Sequence, residues 1–205
     1  MSTAGERWLP FASTQRIVVR RPGFVWNARI RMAPGVSAHV YDAYVAGEGM
    51  LAAKLAGLIT VMEQPQTPKL AQGELMRFLA EAAWYPSALL PSQGVVWEAM
   101  EGARASATLS DGTTSAVLVF EFDARGTIRS VHSDGRNRLV DGAQIATAWT
   151  GRFWNYERRS GMLIPLEGEV AWLLPDGPQP YWRGRIQAIE YDYTARSVPS
   201  VQLAL

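Results

Sequence analysis

Three charged residues at helical spacing, Glu74, Arg77 and Glu81, are the first candidates for chemistry in this sequence. Residues three and four apart share a helix face, so Arg77 can reach both carboxylates. Such a trio serves either as an acid/base pair tuned by the guanidinium or as an ion network tying a helix to its neighbours. The network is the commoner use, and a buried version needs Arg77 fully paired. Asp42, Glu48, Glu167 and Glu169 are further acids from which a glycosidase pair could be drawn, although nothing in the sequence fixes their separation. Acids beside glycine in turns are ordinarily solvated.

Other reactive residue types are scarce. With no cysteine, a thiolate nucleophile, a thiolate metal site and a disulfide are all excluded. The two histidines, His39 and His132, fall in expected strands and are too few for a histidine metal site. His132-Ser-Asp134 is too local to form a triad. Gly47-Glu-Gly49 and Gly161 lack the strand–turn–helix setting of a phosphate loop and read as bends or bulges that curve a sheet. Residues 149–159 and 181–185 interleave basic and aromatic side chains, as a single-strand nucleic-acid surface would. Twenty basic residues against nineteen acidic ones give a net charge of only +1, so solvated strand faces are the better reading. Neither a metal, a cofactor nor a nucleic-acid partner is expected.

Eight tryptophans can be placed in two ways. They line a cavity with indole rings, or they fill the core of a large curved sheet. The second is favoured, because aromatic residues suit pleated surfaces.

The element expected to position the charged trio is a helix over 73–85. Leu75, Phe78, Leu79, Ala82 and Ala83 form its apolar stripe, Pro86 ends it, and residues 87–90 add a turn. Pro65 and Pro68 mark a loop before it. Elsewhere the pattern is extended. Residues 24–32 alternate apolar and polar, with Phe24, Trp26, Ala28, Ile30 and Met32 on one face. Ala33-Pro34-Gly35 turns the chain into a second strand over 37–45. A short strand is expected at 16–20. Residues 50–58 are ambiguous between helix and strand, and 57–63 read as extended. From 95 onward the chain reads as a meander, with strands at 95–100, 104–109, 116–122, 127–132, 149–158, 167–174 and 181–191. Turn chemistry at 110–113, 123–126 and 175–178 links several of them.

The expected fold is mainly β (α+β): a large curved antiparallel sheet or half-barrel of about ten strands, with one or two helices on the concave side. Hydrophobic residues at 48% and charged residues at 19% are ordinary globular composition. A single domain over 1–205 is expected, with an N-terminal arm at 1–14 and a tail at 194–205. No 18-residue apolar window is present, and Met1-Ser-Thr-Ala-Gly-Glu-Arg7 lacks a signal-peptide apolar region, so a cytoplasmic location is the default expectation.

The phrase Gly73-Glu-Leu-Met-Arg-Phe-Leu-Ala-Glu-Ala-Ala-Trp-Tyr-Pro-Ser-Ala-Leu-Leu-Pro91 resembles the signature of a family of uncharacterised bacterial proteins, a domain of unknown function. Gly23-Phe-Val-Trp-Asn-Ala28, Asp42-Ala-Tyr-Val-Ala-Gly-Glu-Gly49 and Gly168-Glu-Val-Ala-Trp-Leu-Leu-Pro175 match it too. The resemblance implies no activity. It does imply a longer N-terminus than this one, which bears on localisation. The strand count with an embedded helix also looks like the bacterial lipoprotein-carrier half-barrel, a likeness of architecture alone.

These readings converge on a non-enzymatic binder of an apolar or amphiphilic, lipid-like molecule. Its cavity is expected between sheet and helix, lined by Trp26, Phe78, Trp84 and Trp97, with Asp42, Arg77 and Glu81 as the polar side chains. The alternatives are a hydrolase or isomerase using Glu74, Glu81 or Asp42, and a protein-interaction domain docking through a sheet face. Ligand identity and oligomeric state are not written in the sequence.

Overall fold

A computed structural model describes residues 8–140 and 142–193. The chain begins with a meander of β1 (Phe11–Val18), β2 (Gly23–Ala33), β3 (Val36–Val45), β4 (Glu48–Leu55) and β5 (Ile59–Glu63), hydrogen-bonded in that order. It crosses over through the helix α1 (Pro68–Glu81) and two short 3-10 turns, Pro86–Leu89 and Pro91–Gln93. A second meander follows: β6 (Val96–Met100), β7 (Arg104–Asp111), β8 (Thr114–Phe122), β9 (Ile128–Val140), β10 (Ala143–Arg159), β11 (Met162–Leu174) and β12 (Gly177–Arg185). Every pairing is antiparallel.

The mainly β fold is as the alternation predicts, but the strands divide into two sheets of five and seven. The reason is the crossover. α1 lies between the sheets and packs chiefly on β8 and β4, so each inner face is covered by the helix and by the other sheet. A helix so placed buries more than one stripe of its surface. Leu70, Ala71, Leu75, Met76, Phe78, Leu79 and Ala80 are all buried, well beyond the expected stripe. One core cluster joins Phe24, Trp26 and Tyr44 of the first sheet to Leu118, Phe120 and Trp149 of the second.

Several boundaries differ from expectation. α1 starts at Pro68 because Thr67 caps it: the Thr67 hydroxyl accepts from the Leu70 amide at 3.1 Å, and Pro68 occupies the first turn, where no amide donor is needed. Residues 50–55 are strand, not helix, with Ala53 facing the core. β9 runs eight residues past His132, and β12 stops at Arg185 rather than 191. Residues 11–14 of the expected arm belong to β1, paired with β2. The expected tail at 194–205 lies outside the described residues. Gly47 and Gly161 do not bulge a sheet: they close two-residue hairpins, after Ala46 and Ser160 respectively, with both residues of each turn at positive φ. Gly49 has another role. A Cβ there would come within 2.9 Å of the Ala71 nitrogen and the Leu70 carbonyl carbon, so only glycine lets β4 and α1 approach this closely.

Candidate functional site

Strand register assembles the first wall. Gln15, Trp26, Asp42 and Leu51 are successive cross-strand partners, and the period-two pleat turns all four side chains to the inner face. The polar edge of α1 meets this row. Arg77 Nη1 donates to Asp42 Oδ2, Nε donates to Glu81 Oε1 at 2.7 Å, and Nη2 donates to Gln15 Oε1 at 3.4 Å. Gln15 Nε2 closes the ring by donating to Glu81 Oε2 at 2.6 Å. The guanidinium carbon also stands 4.8 Å from the Phe24 ring centre and 4.9 Å from that of Trp26. Burial opposes charge on Arg77, but Glu81 and Asp42 more than offset it and push its pKa up.

Arg77 therefore bridges Glu81 and Asp42, where the sequence alone suggested Glu81 and Glu74. Glu74 is only 4% exposed. Burial, then the charge and hydrogen bond of Asp42, push its pKa well above the ordinary carboxylate value; Arg136 and Arg77 pull the other way. Asp42 Oδ1 and Glu74 Oε2 each lack a conventional donor. Burial and Asp42 thus favour the neutral form of Glu74.

Beside this cluster the two sheets and α1 enclose a cavity of about 380 Å³. α1 contributes Gly73, Glu74, Arg77, Ala80 and Glu81, and Trp84 follows just after it. The second sheet contributes Arg136 and Arg138 from β9, Trp149 and Phe153 from β10, Trp172 from β11, and Tyr181 and Trp182 from β12. Arg136 stacks on Trp149 with its guanidinium carbon 5.0 Å from the ring centre, and Arg138 on Trp172 at 5.8 Å. Trp149 Nε1 donates to the Tyr181 hydroxyl at 2.8 Å. Four buried side-chain atoms have no hydrogen-bond partner among the described residues: Asp42 Oδ1, Glu74 Oε2, Trp84 Nε1 and Gln144 Oε1. All four belong to residues lining this one cavity.

Of the side chains expected at a site, Trp26, Asp42, Arg77, Glu81 and Trp84 line the cavity. Phe78 and Trp97 do not. Phe78 lies on the packed side of α1, its carbonyl accepting from the Tyr85 hydroxyl. Trp97 packs on Phe120 and Phe122 and donates to the Leu89 carbonyl at 2.9 Å. Of the acids weighed as a glycosidase pair, Glu48 is exposed and Glu167 holds Trp154 and Asn155, while Asp42 and Glu169 line the same cavity but are each held by arginine, Asp42 by Arg77 and Glu169 by Arg152 and Arg183. His132 pairs with Asp134, two residues away. Arg136, Arg138 and Trp172 were not singled out by sequence, and Trp149 and Trp182 only as part of stretches read as solvated strand faces. The signal is the Arg-x-Arg spacing of 136 and 138, which carries meaning only once residues 133–140 are known to be strand.

A second hollow of about 660 Å³ opens on the outer face of the first sheet, among Asn27, Arg29, His39, Tyr41 and Lys54. It is larger but is a solvated strand face, and no orphaned buried group points into it. Among the described residues no three of His, Asp and Glu gather as a metal site. No helix among them is long and apolar enough to cross a membrane.

Neither the curated proteins nor the solved structures contain a match to this chain. One family model, described as "Family of unknown function (DUF6920)", matches residues 1–191. With nearly its whole length matched, the chain belongs to DUF6920, a family of unknown function.

Proposed function

We propose that the protein binds one apolar or amphiphilic, lipid-like molecule in the cavity between α1 and the two sheets. The observation that carries this reading is the gathering of the unpartnered Trp84 Nε1 and Gln144 Oε1, together with the buried Asp42 and Glu74 carboxyls, onto the walls of one indole-lined space. Buried polar atoms are normally paired, and leaving one unpaired costs about 1–3 kcal/mol. A volume of about 380 Å³ is within the range of small-molecule pockets, which are mostly apolar with a few placed polar groups.

Gly73 provides the test. It sits mid-helix and lines the cavity, yet a Cβ built on it meets no atom within 4 Å. A leucine side chain would start from that open point and extend into the cavity. Calorimetric titration with dodecanol is expected to show one-to-one binding with a negative heat-capacity change, the mark of apolar burial, and Gly73→Leu is expected to abolish it. Equal binding by the two proteins places the ligand elsewhere.

A further inference from the structure

The cavity is unevenly charged. Lys69, Arg77, Arg136 and Arg138 line it, as do Asp42, Glu74, Glu81 and Glu169. Most of the negative charge is already committed. Asp42 and Glu81 both hold Arg77. Glu169 is bound by Arg152 and Arg183, which do not line the cavity. Glu74 is buried beside Asp42, which disfavours a charge on it, while Arg136 and Arg77 act the other way.

The cations of β9 are in the opposite state. Among the described residues neither Arg136 nor Arg138 forms a salt bridge. Arg138 has one long hydrogen bond, to Gln179 Oε1 at 3.4 Å. Both are held instead by the faces of Trp149 and Trp172. Stacking fixes a guanidinium plane while leaving its in-plane N–H donors unspent. Two residues apart on one strand, the pair presents a double fork on one wall. Its chemical complement is a carboxylate or a phosphate.

We infer that the cavity selects an anionic amphiphile, with Arg136 and Arg138 gripping a carboxylate or phosphate head while the apolar chain lies against Trp26, Trp84 and Trp182. The inference rests on the ligand-binding reading above and adds the sign of the ligand's charge. Trp84 Nε1, an unpaired donor of another residue lining the same cavity, suits an oxyanion as well.

The test compares four probes of one chain length by calorimetry: dodecanoate, dodecyl phosphate, dodecanol and dodecyltrimethylammonium. One or both anions are expected to bind at least about tenfold more tightly than dodecanol, and the cation most weakly. Whichever anion leads identifies the head group. Arg136→Gln/Arg138→Gln is expected to erase the preference, the anions then binding no more tightly than dodecanol does to the same variant, and Arg136→Lys/Arg138→Lys to restore part of it. Should the glutamine variant not fold, wild-type protein decides alone: anion binding weakens with added salt and dodecanol binding does not. Equal affinity for dodecanol and both anions overturns the inference while leaving the proposed function standing. Failure of all four probes to bind overturns both.

Discussion

Along α1, the side that meets β4 and β8 is filled to contact, whereas the side that turns to the second sheet beyond β9 is left partly open. Two glycines mark the difference. At Gly49 a single added carbon would collide with helix backbone, while at Gly73 it would enter empty space. The same residue type thus serves opposite ends: close approach in one place, preserved volume in the other. Charge follows the same division. On the packed side Leu75, Phe78 and Leu79 are at most 1% exposed, and on the open side Glu74, Arg77 and Glu81 carry the polar chemistry. The open side gives up packing, and that is where a binding site is to be expected.

The comparison breaks most visibly at Arg77. Arg77→Met strands Asp42 and Glu81 and is expected to cost about 3–5 kcal/mol in denaturant unfolding. If the charges serve only each other, Asp42→Asn and Glu81→Gln added to it recover most of that loss. A loss below about 1 kcal/mol for the single variant would show that the ring is solvated and that the open side is ordinary surface.

The glycines come next. Gly49→Ala is expected to destabilise by about 1–3 kcal/mol, since helix or strand must shift. Gly73→Ala is expected to stabilise by up to about 1 kcal/mol, since glycine mid-helix is unfavourable and the methyl meets nothing. Effects of the same sign in the two variants would end the distinction between the two sides.

Glu74 and Glu169 give the smallest effects, of opposite sign. At low pH Glu74 is protonated in both folded and unfolded chains. As pH rises past the ordinary carboxylate value, the unfolded chain releases this proton while burial and Asp42 hold it in the folded one. Glu74 therefore lowers stability progressively, until the folded group also ionises. Glu169 behaves inversely. Burial acts to raise its pKa, but hydrogen bonds from Arg183 and Arg152 prevail and hold it low, so its contribution is present at neutral pH and lost on acidification. In melting-temperature profiles Glu74→Gln is expected to gain on wild type as pH rises, and Glu169→Gln to lose less than wild type on acidification.

Local pattern made some of this legible in the sequence. The alternation of 24–32 and the stripe from Leu75 to Ala83 state which faces are inward, and turn residues announce the hairpins. The Thr67-Pro68 start was also written there, but two nearby prolines read more readily as a loop. The partition into two sheets was not legible, because antiparallel strands covered on one face have the same pattern in either arrangement. Within the site, Arg77 was visible as a hub, but its choice of Asp42 over Glu74 depends on a strand thirty-five residues away in sequence. Arg136 and Arg138 carried no local signal of their stacking, since nothing nearby in sequence says that Trp149 and Trp172 lie beneath them.

Five of the eight tryptophans, Trp26, Trp84, Trp149, Trp172 and Trp182, line the cavity. Indole emission depends on the polarity around the ring, so whatever enters this space is reported optically by the protein itself, without an attached dye. Trp8 and Trp154 are exposed, and Trp97 packs on Phe120 and Phe122. These three supply a steady background against which the other five change. A blue shift and a change in intensity on filling the cavity would turn ligand discovery for this family into a spectroscopic screen.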